Sequence, residues 1–125
     1  MSNKVAILIG SETDREIMES ANKYYEYFNI NFEIKVLSAH RNPVEVHEFC
    51  SAASSNDYKI LVGAAGMAAH LAGAIKANTT LPVIGVPLDG GVLTGLDSLL
   101  STLQMPKGVP VATMSVGKSG AINAA

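Results

Sequence analysis

Val5-Ala6-Ile7-Leu8-Ile9 is a continuous apolar run closed by Gly10-Ser11-Glu12-Thr13-Asp14, and this stretch decides the fold. Apolar residues in unbroken succession mark a strand buried on both faces, as in a parallel sheet. The polar turn then opens a helix. Thr13 and Glu16 have the spacing of a capping box. Beyond them Ile17, Met18, Ala21, Tyr24, Tyr25 and Phe28 recur as one apolar helical stripe. The first unit is strand, polar turn, helix.

The unit repeats down the chain. Phe32 to Leu37 alternates like a strand with one less buried face, and Ser38-Ala39-His40-Arg41 follows as a turn. Asn42 is placed to cap a second helix, with Pro43 at its first position and Glu45 completing a box. Ile60-Leu61-Val62 predicts a third strand leading into a small-residue turn, Gly63-Ala64-Ala65-Gly66, and then a helix from about Ala68 to Ala77. Pro82 to Val86 predicts a fourth strand, and Asp89-Gly90-Gly91 a loop. A helix is predicted from Gly95 to about Leu103, a fifth strand over Val111 to Ser115, and a short helix after Gly120. Strands alternating with helices imply right-handed crossovers and a covered parallel sheet. The expected fold is a doubly wound, flavodoxin-like α/β domain of three layers, with ligands at the carboxyl ends of the strands. The polar and glycine-rich residues cluster there, after the first three strands.

Composition bounds the function. The 125 residues suit one domain. Size scaling gives roughly 6,400 Å² of folded surface against roughly 19,000 Å² unfolded, enough burial for an independent core. A net charge of −2 leaves no basic excess for nucleic acid. The lone Cys50 excludes an internal disulfide framework and a thiolate-rich zinc site. Met1-Ser2-Asn3-Lys4 runs straight into the first strand, with no signal peptide and no apolar run of membrane-spanning length. The expected setting is cytoplasmic. Charged residues are only 16%, against about 25% in a typical domain, so part of the surface is expected to be covered by other copies of the chain.

Three constellations could carry chemistry. Gly10-Ser11-Glu12-Thr13-Asp14 can place hydroxyls and a helix amino end against a phosphate, or simply cap the helix. It matches neither the Walker loop nor the three-glycine dinucleotide fingerprint. Ser38-Ala39-His40-Arg41 sets a guanidinium, able to grip phosphate bidentately, beside an imidazole that exchanges protons near neutrality. The alternative is an exposed loop pair without a role. Gly63 to Ala69 has side chains small enough for close backbone approach, and His70 opens the next helix, as a ligand group or as a histidine tied to a loop carbonyl. No histidine pair has the spacing of metal ligands. Cys50 reads as a packed thiol and His47 as a surface or packing residue.

Taken in order, Gly10-Ser11-x-Thr13-Asp14-x-x-x-Met18, Ser38-Ala39-His40-Arg41 and Gly66-x-Ala68-Ala69-His70-Leu71 resemble the catalytic subunit family of phosphoribosylaminoimidazole carboxylase. The class I-like members of that family are N5-carboxyaminoimidazole ribonucleotide mutases. Leu81-Pro82-Val83-x-Gly85-Val86-Pro87, Gly95-x-Asp97-Ser98-Leu99, Gln104-Met105-Pro106 and Gly117-Lys118-x-Gly120-Ala121-x-Asn123-Ala124-Ala125 extend the likeness over nearly the whole chain.

The resemblance implies a homo-octamer of flavodoxin-like domains. It implies an isomerase of de novo purine (IMP) biosynthesis that moves a carboxylate from the exocyclic nitrogen to ring carbon 4, with no metal or organic cofactor. It assigns Ser11 and Arg41 to the 5′-phosphate, Asp14 to the ribose and His40 to proton transfer. Ser38, Ala39, Gly66, His70 and Leu71 would line the base and carboxylate pocket. Gln104-Met105-Pro106 would complete a neighbouring subunit's site, and the small-residue helix around Ala68 to Ile75 is expected to face that neighbour. Departures are Thr13 for Ser, Asn42 for Thr, Met67 for a Gly on the pocket floor, Ala72 for Pro, and the Asp89-Gly90-Gly91 loop. The family continues into a long helix beyond Asn-Ala-Ala, which this chain is expected to lack. Two other readings remain: direct carboxylation by CO₂, disfavoured by Arg41 where carboxylase-type relatives carry Lys, and a catalytically silent nucleotide-binding module.

Overall fold

The computed structural model describes residues 3–125; Met1 and Ser2, read above as the approach to the first strand, lie outside the described residues. Five parallel strands form one sheet: β1 (Lys4–Ile9), β2 (Phe32–Val36), β3 (Tyr58–Ala65), β4 (Val83–Pro87) and β5 (Ala112–Thr113). Their order is β2-β1-β3-β4-β5, the flavodoxin-like winding expected from the alternation of elements.

The unbroken apolar run of β1 is explained by its two-faced burial. Val5, Ile7 and Ile9 join one cluster with Met18, Ala21, Tyr25 and Ala121. Ala6 and Leu8 join the other with Val46, Cys50, Leu71, Ala72 and Ile75. The first face is covered by α1 (Arg15–Glu19), α2 (Asn22–Tyr27) and α6 (Lys118–Ala124). The second is covered by α3 (Pro43–Ala52) and α4 (Leu71–Lys76). The remaining helix, α5 (Leu96–Leu103), packs against β4 and β5. Among the described residues no helix is long and apolar enough to cross a membrane.

The structure corrects several local expectations. The single helix predicted after β1 is split. A 3-10 turn, Glu12–Asp14, precedes α1, and Ser20 Oγ donates to the Ile17 carbonyl at 2.5 Å where α1 gives way to α2. Met18, Ala21 and Tyr25 still form a buried stripe, but Phe28 is exposed against Tyr27. Ser11, not Thr13, makes the cap, accepting the Thr13 N–H at 3.3 Å. Asn42 precedes α3 with Pro43 at its start, yet its side chain caps nothing.

The third strand extends through Gly63-Ala64-Ala65, so the turn begins only at Gly66. Small residues here carry packing rather than a bend. Gly63 pairs in register with Gly85 of β4, and both lie under helices. A Cβ on Gly63 would stand 2.8 Å from Ile75 Cδ1 and 3.0 Å from the Ala72 Cα. A Cβ on Gly85 would stand 2.6 Å from Thr102 Cγ2. Gly63→Ala should therefore cost about 1–3 kcal/mol through overpacking. Urea denaturation would measure it, and an unchanged midpoint would mean that α4 yields freely.

Candidate functional site

At the carboxyl edge of the sheet the turns after β1, β2, β3 and β4 surround one cleft. Its lining includes the residues that the resemblance assigns to proton transfer and to this chain's own substrate pocket: Ser11, Asp14, Ser38, Ala39, His40, Arg41, Gly66, His70 and Leu71; Gln104, Met105 and Pro106, assigned to a neighbour's site, are not among them. Gly10, Thr13, Ala65, Met67, Ala68 and Gly90 complete it, around about 310 Å³ of space. That volume lies in the range of a small-molecule pocket.

The turn after β2 is fixed by three hydrogen bonds. Asn42 N–H donates to the Ser38 carbonyl at 2.8 Å, Ser38 N–H donates to Asn42 Oδ1 at 3.2 Å, and Arg41 N–H donates to Ser38 Oγ at 3.2 Å. Asn42 is thus occupied in closing the turn, which explains why it does not cap α3. Ser38 is held inward while His40 and Arg41 stand exposed at the rim.

His40 meets His70 across the cleft, with Nε2 of one 2.9 Å from Nδ1 of the other. The rings cross edge to face at 82°. Such a bond needs one nitrogen bare and the other carrying a proton, so the pair can hold and pass a single proton between two positions. Among the described residues no group of three or more His, Cys, Asp or Glu side chains is arranged to hold a metal.

The two arginines have separate fates. Arg15 Nε sits 2.5 Å from Glu12 Oε1 outside the cleft, and that bond holds the Glu12 carboxyl below its ordinary value. Arg41 lines the cleft and has no carboxylate within ion-pair distance among the described residues, so its guanidinium is available to an anion. Asp14 is half-buried, and burial raises its carboxyl above the usual 3.8, partly offset by a Ser11 backbone hydrogen bond. The amino end expected to receive a phosphate is the short 3-10 turn, its Ser11 and Thr13 hydroxyls 3.0 Å apart. Away from the cleft, burial pushes the Cys50 thiol up to about 11, which suits a packed side chain and not a nucleophile. His47 is exposed and bonded to Asn78 at 2.6 Å.

The loop after β3 is braced from two sides. Leu88 N–H donates to the Ala65 carbonyl at 3.0 Å, and Ala69 N–H donates to Ser101 Oγ of α5 at 2.9 Å. Leu71 is 2% exposed and forms part of the cleft floor. Met67, read from the resemblance as standing in for a Gly on the pocket floor, does not fill that floor. It stands 64% exposed at the mouth, with a left-handed backbone at φ 57°. Gly90, from the loop after β4, was not anticipated as a cleft residue; only the Gly90-Gly91 pair in the sequence hinted at backbone that close.

The family model described as AIR carboxylase matches residues 4–125. The chain is 49% identical over 124 residues to the N5-carboxyaminoimidazole ribonucleotide mutase of Bacillus subtilis, covering 99% of this chain and 76% of that protein. It is 45% identical over 122 residues to the mutase of the same name from Escherichia coli, covering 98% and 72%. The crystal structure of Treponema denticola PurE2-S38D superposes with a TM-score of 0.87 at 25% identity, covering 99% of this chain and 76% of that one.

A raised carboxyl pKa means that the folded chain holds the Asp14 proton more tightly than the unfolded chain does. The group therefore favours folding at acid pH and opposes it once ionised. Asp14→Asn should raise the unfolding midpoint near neutrality. The gap should close as pH falls through the raised pKa towards the ordinary carboxylate value. Denaturant titrations over a pH series would test this; a gap independent of pH would place its cause elsewhere.

Proposed function

The chain belongs to the AIR carboxylase family, and on that premise we propose that its cleft isomerises N5-carboxyaminoimidazole ribonucleotide to 4-carboxy-5-aminoimidazole ribonucleotide in purine biosynthesis. The observation that carries the reading is the convergence of Asp14, His40, Arg41 and His70 on one cleft from three separate turns.

The chemistry has two half-reactions. The bond from the exocyclic nitrogen to its carboxylate breaks, CO₂ departs, and the nitrogen takes up one proton. Carbon 4 then attacks CO₂, a carbon–carbon bond forms, and carbon 4 releases one proton. The proton account closes if one group in the cleft accepts from carbon and returns a proton to nitrogen. His40 fits that task, and its bond to His70 supports it by giving the proton a second position. Arg41 and Ser11 would hold the 5′-phosphate and Asp14 the ribose hydroxyls. Ser38, Ala39, Gly66, His70 and Leu71 would wall the base and the transient CO₂. The reading needs no metal or organic cofactor, takes a small ribonucleotide as its partner rather than nucleic acid or membrane, and places the reaction in the cytoplasm.

One assay tests it. The purified protein is given N5-carboxyaminoimidazole ribonucleotide or, separately, aminoimidazole ribonucleotide with bicarbonate, and the carbon-carboxylated product is followed. Product from the first substrate alone is expected. Product from the second at equal rate would make it a direct carboxylase, and product from neither would leave a silent binding module. His40→Asn should bind the nucleotide and lose turnover by roughly 10²–10⁴-fold; undiminished turnover would remove His40 from the proton path.

We also infer a homo-oligomer, an octamer by family resemblance. The support is not where the sequence put it. Leu71, Ala72 and Ile75 of α4 are buried in the chain's own core, so of the expected face only Ala68, ahead of the helix, and the half-buried Gly73 and Ala74 stay accessible. The exposed apolar surface lies on α5 and the loop before it: Val92, Leu93, Leu96, Leu100 and Leu103. Contiguous exposed leucines of this kind mark contact surfaces. Light scattering across a dilution series is expected to give a mass several times that of one chain; a fully active monomer at every concentration would overturn the inference.

A further inference from the structure

Met67 is an anomaly on three counts. It adopts φ 57°, a left-handed conformation that residues with a Cβ rarely hold. It keeps a large apolar side chain 64% exposed at the mouth of a polar cleft. It is also the one long side chain in a run, Gly63 to Ala69, where every other residue is Gly or Ala. A Cβ on Gly66 would make an ordinary contact with the next loop, 3.4 Å from the Gly90 N, and a Cβ on Gly90 would meet nothing within 4 Å. The cleft lining here is Gly66, Ala68 and Gly90, with one flexible thioether, Met67, among them. Strained backbone that persists at a cleft is an indication of use. Methionine, unbranched and polarisable, packs well against an aromatic ring without demanding one geometry.

We propose that Met67 is the cover of the cleft: its side chain folds over the imidazole ring of the bound ribonucleotide and retains the CO₂ between the two half-reactions. This rests on the reaction proposed above. The CO₂ set free when the nitrogen–carbon bond breaks is neutral, small and unheld by any ion pair, so a steric and apolar barrier is what can keep it beside carbon 4. Met67 acts on the ring and the gas by contact and exchanges no proton.

Two measurements test the proposal. In the first, wild-type protein is treated with dilute hydrogen peroxide and sulfoxide formation at Met67 is followed by peptide mass spectrometry. A 5-aminoimidazole-4-carboxamide ribonucleotide probe should slow oxidation of Met67 by about tenfold, whereas ribose 5-phosphate, which lacks the ring, should not. No protection by the nucleotide, or equal protection by the sugar phosphate, overturns the contact. In the second, substrate with an isotopically labelled carboxylate is turned over in unlabelled bicarbonate, and label in the product is counted. Met67→Ala should lower the ratio of retained to lost label by about tenfold, and Met67→Leu should keep it near wild type. Both variants carry the same left-handed backbone, so the comparison isolates the side chain. Full retention by Met67→Ala, or equal loss by Met67→Leu, overturns the role. Wild-type protein that forms no product would refute the mutase reading, while protection from peroxide would still decide whether Met67 covers a bound ring.

Discussion

The cleft depends on a clearance of two missing methyl groups. Gly63 and Gly85 face each other across β3 and β4, and the space above them is filled by Ala72 and Ile75 of α4 and Thr102 of α5. Because there is no Cβ at either position, both helices settle directly on the strand backbone. That depth determines how His70, at the amino end of α4, stands relative to the turn after β2, and so whether it comes within 2.9 Å of His40. A methyl on Gly63 would press on Ala72 and be felt at His70, two residues away, because close-packed interiors transmit displacement rather than absorb it.

α5 reverses the usual amphipathic arrangement. Ser98 and Thr102 face the interior, while Leu96, Leu100 and Leu103 face out. The inward hydroxyls have work to do. Ser98 Oγ donates to the Leu88 carbonyl with the Gly95 carbonyl also in reach, and Ser101 Oγ accepts the Ala69 N–H while donating to the Asp97 backbone carbonyl. One face of the helix thus anchors the loops after β3 and β4, and the other presents apolar surface. Whatever covers those leucines bears on the element that positions the cleft loops.

The parts of this arrangement that were legible in the sequence are those set by neighbours along the chain. The apolar run of β1, Pro43 at the start of α3, and His40-Arg41 after a strand are local statements, and winding rules turn them into a shared edge. What was not legible depends on tertiary contact. Gly63-Ala64-Ala65 has no periodicity of its own and reads as a turn until two flanking strands pair with it. Whether α4 or α5 lies open cannot be read from their compositions, since both are largely small or apolar and their rotation on the sheet decides. The choice of Ser11 over Thr13 as cap, and of a turn-closing role for Asn42, follows from backbone angles that several residue types can satisfy.

The cleft is most tightly held at the turn after β2 and in the segment leading to His70. The Ser38–Asn42 turn is closed by three hydrogen bonds, and the segment leading to His70 is braced through Ala69. Groups that must meet a developing charge or a proton are best fixed in advance, because reorganising them during the reaction would add to the barrier. At the mouth stand the exposed Met67 side chain and Gly90, where an added Cβ would meet nothing within 4 Å. On the proposed reading a ribonucleotide enters past that mouth, and the site then excludes water from a reactive intermediate. Rigidity throughout would obstruct entry, and looseness throughout would misplace the imidazoles. Confining the freedom to the exposed Met67 thioether lets one small domain meet both demands on that reading.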